Sequence, residues 1–306
     1  MKILSLSLFV LLTLSACQNT QEVNGNTQEA TESNKKELAL ASIDEILGQV
    51  HNCNASITIR SQALKTEQVE KACKELIAQE KAFHHIFNTQ GKPVADDNNN
   101  NLRANFYHTR DEYVKYATAH FTMPTNNGGM YLEGYPDRAG NHAEFVAYEK
   151  NGGLWNLEHE FVHYLDGRFN KYGDYCNGLH DDHAGPEFCP EPNLAYPHGV
   201  WWGEGIAEYL SKGKNNKHAL KMASAKTYAV SELFNTSYNN NGGTERVYYW
   251  GYLAVRFMME NHRDKVDQML VLTRKGDWVG YQNLIKGWST SLDQQWFTWL
   301  DSVAEK

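Results

Sequence analysis

The stretch WNLEHEFVHYLDGRF, residues 155–169, decides how the rest of the chain reads. It overlaps Leu154 to Arg168, a segment without proline whose one break, Gly167, comes near its end, so a helix is predicted there. His159 and His163 are four apart, and on a helix their imidazoles stand one above the other, within reach of one metal ion. Glu160 follows the first histidine directly. Its carboxylate then lies beside the open position of that ion, placed to take a proton from a metal-held water.

A second segment, WWGEGIAEYLS at 201–211, carries Glu204 and Glu208, again four apart and on one helix face. Glu204 can complete a His, His, Glu ligand set and leave the fourth position to water. Glu208 can accept a hydrogen bond from the distal nitrogen of a ligand imidazole and fix its tautomer. Two solvated glutamates would fit badly beside Trp201, Trp202, Ile206, Ala207 and Leu210.

Before residue 150 the pattern is mixed. Leu38, Leu40, Ile43, Ile46, Leu47 and Val50 recur at helical spacing, as do the apolar residues of Thr66 to Phe87 and of Arg110 to Phe121. Ser56 to Arg60, Asn105 to His108, Met130 to Gly134 and Ala143 to Tyr148 read as strands. From Asn216 onward the patterns are helical, including Val247 to Glu260, Lys265 to Thr273 and Gln294 to Ala304. Strands clustered early and helices late predict an α+β fold.

The N-terminus reads as an export signal over residues 1–16: Met1-Lys2, an apolar run from Ile3 to Leu14, then Ser15-Ala16. Leu14-Ser15-Ala16-Cys17 has the form of a lipobox, so Cys17 is expected to carry lipid and to begin a polar tether over 17–37. Gln18 after that cysteine favours an outer-membrane anchor, with membrane contact through the lipid only, or secretion if the lipobox is not used. In an oxidising compartment Cys53 is expected to pair with Cys73 and Cys176 with Cys189, since each bond closes a short loop. His180, Asp181, Asp182 and His183 lie inside the second loop and read as a solvated segment rather than a second metal site. The formal charge of −8, from 29 basic and 37 acidic residues, argues against a nucleic-acid partner.

Together with GGMYLEG at 128–134 and GNHAEFVAYE at 140–149, the two helical segments resemble the M9 family of bacterial collagenases, closest to the Vibrio-type branch. The likeness runs from about Cys53 to the C-terminus. It implies a gluzincin-type zincin lobe with a small mixed sheet over 38–213 and an all-helical helper over 214–306. It implies that His159, His163 and Glu204 bind zinc, with Glu160 as general base and acid in a metalloendopeptidase. Gly128, Gly129, Met130 and Tyr131 match an edge strand that pairs with extended polypeptide substrate. Glu133 matches a glutamate that binds calcium in clostridial relatives. Tyr248 or Tyr252, in ERVYYWGYL, stabilises the oxyanion, with the choice open.

Clostridial and Vibrio-type enzymes place a large helical activator domain before the peptidase domain, where this sequence has a tether. The expected substrates are therefore gelatin, collagen peptides or other unfolded proteins rather than intact triple helix. Two other readings are a silent lipid-anchored peptide-binding protein, which the intact Glu160 argues against, and a gluzincin aminopeptidase, for which Glu133 would be the group to exclude.

Overall fold

The computed structural model describes residues 41–172, 199–238 and 241–304. Ile57 and Ile59 are buried at alternate positions of β2 (Ile57–Ser61), as a strand covered on one face requires. The next strand, β3 (Leu102–Tyr107), is buried at all positions but one, and β5 (Ala143–Lys150) is buried mainly over its first five residues, where helices or loops cover both faces. β2, β3 and β5 run parallel, with Leu102 opposite Ala143 and Ile57 opposite Leu102. Parallel neighbours need a long crossover, and α2 (Thr66–Phe87) supplies it between β2 and β3. β1 (Gln49–Asn52) and β4 (Gly129–Leu132) close the two ends antiparallel, giving the order β1-β2-β3-β5-β4, and β6 (Gly153–Leu154) folds back on β5.

The two faces of the sheet have different covers. Phe106 and Phe145 point into a core shared with α2 and the later helices, whereas Tyr107 and Val146 pack with Tyr113 and Ala117 of α3 (Arg110–Phe121). After β6 come α4 (Leu157–Asn170) and α5 (Val200–Lys212), then α6 (Lys217–Ala223) and α7 (Val230–Leu233). A π-helical stretch, Glu245–Trp250, runs into α8 (Gly251–Asn261), followed by α9 (Arg263–Thr273), α10 (Trp278–Trp288) and α11 (Asp293–Val303). One hydrophobic core extends from Ile57 to Leu300, continuous across residues 213 and 214. The disulfide Cys53–Cys73 ties the end of β1 to α2, as the cysteine spacing suggests.

Several expected boundaries move. The helix expected through Val50 stops at α1 (Ile43–Ile46), capped by Ser42, and residues 49–52 pair with β2 instead. Val50, 61% exposed on that edge strand, matched the helical period without having a core to face. The metal-motif helix starts at Leu157 rather than Leu154, because Leu154 pairs with Glu149 of β5. The segment expected as one α-helix from Val247 is π-helical in its first part. Residues 1–37 with Cys17, the pair Cys176 and Cys189, and His180 to His183 lie outside the described residues. No helix among the described residues is long and apolar enough to cross a membrane.

Candidate metal centre and cleft

Asn156 opens α4 in the left-handed conformation, φ 58°, which asparagine adopts more readily than most side-chain-bearing residues. Its carbonyl accepts from the amides of both His159 and Glu160 at 3.1 Å. The helix then carries His159 on its buried side and His163 one turn later. Near its other end, the buried Asp166 accepts from the indole of Trp202 at 3.1 Å and from Asn170 at 2.8 Å, which ties α4 to α5. α5 in turn lies against α8 at two glycines. A Cβ on Gly205 would stand 2.5 Å from the Gly251 carbonyl oxygen, so the close approach that positions Glu204 needs glycine there.

These two helices bring three ligand atoms together at the wall of a cleft of about 620 Å³. His159 Nε2 is 3.1 Å from His163 Nε2 and 3.1 Å from Glu204 Oε2, and His163 Nε2 is 3.5 Å from the same oxygen. Ligands bound tetrahedrally at about 2.1 Å stand roughly 3.4 Å from one another, so this triangle fits a zinc ion. Burial pushes the His159 imidazolium down, but hydrogen bonding to Glu204 and Glu208 outweighs it and raises the ring to about 10. Burial also opposes ionisation of Glu204, and the His163 charge with the His159 hydrogen bond overcomes this, holding the carboxyl well below its ordinary range.

The supporting groups follow. Glu208 Oε1 stands 3.1 Å from His159 Nδ1, and its other oxygen accepts from Asn216 Nδ2 at 2.8 Å. Glu160 lines the cleft, and its Oε1 accepts from Asn156 Nδ2 at 2.7 Å. The hydroxyl of Tyr238 donates to Glu204 Oε1, the carboxylate oxygen outside the triangle. Tyr248 lines the cleft, its ring 6.1 Å from that of His159. The charge of Glu204, then burial, raises its phenol well above the ordinary range, so it remains a donor. Tyr252 is placed differently: its ring is buried in the core and its hydroxyl donates to the Gly213 carbonyl at 2.9 Å. Of the two tyrosines left open by the sequence, only Tyr248 faces the cleft.

β4 forms one lip. It ends the sheet, so one side of its backbone has no neighbouring strand among the described residues. Both glycines are there for space. A Cβ on Gly128 would come within 3.0 Å of the Trp155 ring, and one on Gly129 within 2.8 Å of the Ala147 Cβ. Met130 and Tyr131 continue the lip, with the Tyr131 ring stacked at 6.2 Å on His163. Glu133 lines the cleft beyond them, its carboxylate lying where a Cβ on Gly167 would be, and its carbonyl accepts from Asn99 and Asn141. Among the described residues the one group of three metal-capable side chains is His159, His163 and Glu204, and it does not include Glu133.

Sequence reasoning missed Asn156, Asn216 and Tyr238. Asn156 had a signal, since it precedes Glu160 by one helical turn; Tyr238 lies in a loop 34 residues from Glu204, where no local spacing points to it.

The family model described as collagenase, for the M9 peptidases, matches residues 12–299. The chain is 41% identical over 264 residues to a microbial collagenase of Vibrio alginolyticus, covering 84% of this chain and 30% of that protein. It is 38% identical to a microbial collagenase of Vibrio vulnificus, over 88% of this chain and 31% of that protein. Collagenase ColA of Clostridium perfringens is 26% identical over 58% of this chain and 16% of its own. The chain therefore spans about three-tenths of the length of the Vibrio proteins. With the model matched over nearly its whole length and two relatives near 40% identity, the chain belongs to the M9 collagenase family.

Proposed function

We propose that the cleft is the zinc-dependent endopeptidase site of a gluzincin-type lobe, cutting extended polypeptides of the collagen, gelatin or unfolded-protein class. One observation carries the reading: two imidazole nitrogens and one carboxylate oxygen meet at 3.1 to 3.5 Å beside a glutamate that is not in the triangle. Zinc held by His159, His163 and Glu204 would supply Lewis acidity to the scissile carbonyl and lower the pKa of the attacking water.

The chain's own residues do the rest. An extended substrate lies along the open edge of β4, whose backbone groups can pair with it as an added strand. Gly128 and Gly129 leave room for the Trp155 ring and Ala147 beside that strand. Glu160 takes a proton from the attacking water; the water oxygen bonds to the carbonyl carbon, the carbon–nitrogen bond breaks, and Glu160 gives the proton to the leaving amine. Tyr248 donates to the oxygen that gains charge on the way. Glu208, itself held by Asn216, keeps His159 oriented. Glu133 is proposed as one carboxylate donor to a calcium ion, which takes six to eight oxygens, and cleavage assayed before and after calcium depletion is the test. Cys17 is proposed as a lipid anchor on an exported chain, for which palmitate labelling is the test.

Glu160→Gln should keep one zinc per chain and lose most turnover. Substantial cleavage by that variant would remove the assignment. Parallel digests of native collagen, gelatin and casein by the zinc-loaded protein define the substrate class, and a Gly-Pro-rich peptide cut no faster than casein would count against collagen-type preference. Glu133 in the cleft favours one second reading, an aminopeptidase that holds a substrate amine. Equal cleavage of acetylated and free peptides rules it out.

A further inference from the structure

We infer that Asn156 is a positioning residue that divides the work between the two oxygens of Glu160, an inference that rests on the endopeptidase reading above. Three observations carry it. The Asn156 side chain caps none of the free amides of α4, although it stands at the cap position. It spends its amide on Glu160 Oε1, at 2.7 Å, and it lines the same cleft. Its backbone sits at φ 58°, a conformation that glycine adopts without strain. Conformation alone would therefore be met best by glycine; what asparagine adds is the N–H aimed at the carboxylate.

The chemical consequence is directional. A carboxylate oxygen that accepts an N–H is the poorer proton acceptor, so the proton from water goes to Oε2. Water loses that proton as its oxygen bonds to the carbonyl carbon; Oε2 then returns it to the amine nitrogen as the carbon–nitrogen bond breaks. Asn156 donates to Oε1 in both states. The carboxyl group thus carries the proton on the oxygen that Asn156 leaves unbonded, without turning over.

The test uses the full zinc-loaded chain, a fluorogenic Gly-Pro-rich peptide, and the variants Asn156→Gly and Asn156→Asp. Glycine keeps the left-handed backbone and removes the amide; aspartate keeps size and left-handed tolerance but presents an acceptor. In both, kcat should fall about 10- to 100-fold, the range of a hydrogen bond to a charged group, with KM within about twofold. Zinc content should stay at one per chain, and the melting temperature of Asn156→Gly should not drop. A wild-type kcat in either variant overturns the inference. So does a loss of kcat that is matched by lost zinc or a lowered melting temperature in both, since Asn156 would then serve the helix and not Glu160. Wild-type protein without zinc-dependent cleavage would sink the endopeptidase reading itself, and is measured first.

Discussion

Glu204 is held at its distance from the histidines by a helix crossing that admits no side chain at one point. Gly205→Ala tests this. The added Cβ would lie 2.5 Å from the Gly251 carbonyl oxygen and 2.6 Å from a Val255 methyl, against an ordinary contact of about 3.5 Å. Because the nearest atom is backbone, α5 has to move away from α8 by roughly 1 Å. Glu204 is the adjacent residue and moves with it, whereas metal–ligand distances tolerate only about 0.2 Å. Overpacking of this kind costs about 1 to 3 kcal/mol, and zinc affinity should fall at least tenfold. The reciprocal change is the control. A Cβ on Gly251 meets nothing closer than 3.6 Å, so Gly251→Ala should bind zinc normally and melt at or above the wild-type temperature. Chelator competition for zinc and thermal melts of the metal-free proteins measure both. Equal zinc affinity and equal melting of Gly205→Ala and wild type would refute the argument that this contact sets the ligand geometry.

Three further outcomes are expected. Tyr238→Phe removes the donor to Glu204 Oε1, and should speed zinc loss to a chelator by about tenfold or more with the fold intact; an unchanged rate would mean the hydroxyl does not orient the ligand. Tyr248→Phe should lower kcat by about 100- to 1,000-fold, while Tyr252→Phe should leave turnover near normal and cost about 1 kcal/mol of stability through the lost bond to Gly213. The reverse pattern would exchange their roles. Burial raises the Asp97 carboxyl to about 6, against the opposing Arg168 charge and the Asn99 amide. The folded state therefore binds a proton that the unfolded chain releases near pH 4, so this stabilisation is complete below about pH 4 and lost as pH rises through 6. Asp97→Asn should then match wild type in urea melts at pH 4 and exceed it by on the order of 2 kcal/mol at pH 8. A variant weaker at pH 8 would show that the Arg168 pairing dominates.

Helices Thr66–Phe87 and Arg110–Phe121 could be bounded from sequence because a long apolar period, set against polar flanks, is a local property. Residues 49–52 could not. Four residues carry too little pattern to separate a strand from a helix, and the pairing with β2 that settles the matter comes from elsewhere in the chain. The same limit governed Leu154, which pairs with β5 and so delays α4.

Within the centre the division is similar. By itself the sequence determined the donor types and their places on two helices, since i and i+4 share a helix face whatever surrounds them: His159 with His163, Glu204 with Glu208. Tertiary structure alone decided that the helices meet with those faces opposed, through Asp166 on Trp202 and Gly205 on Gly251. It also separated Tyr248, which faces the cleft, from Tyr252, one turn further on and bound to Gly213. Both tyrosines occupy equivalent sequence surroundings, and a hydroxyl finds its partner by distance in space, which spacing along a chain does not encode beyond one helical turn.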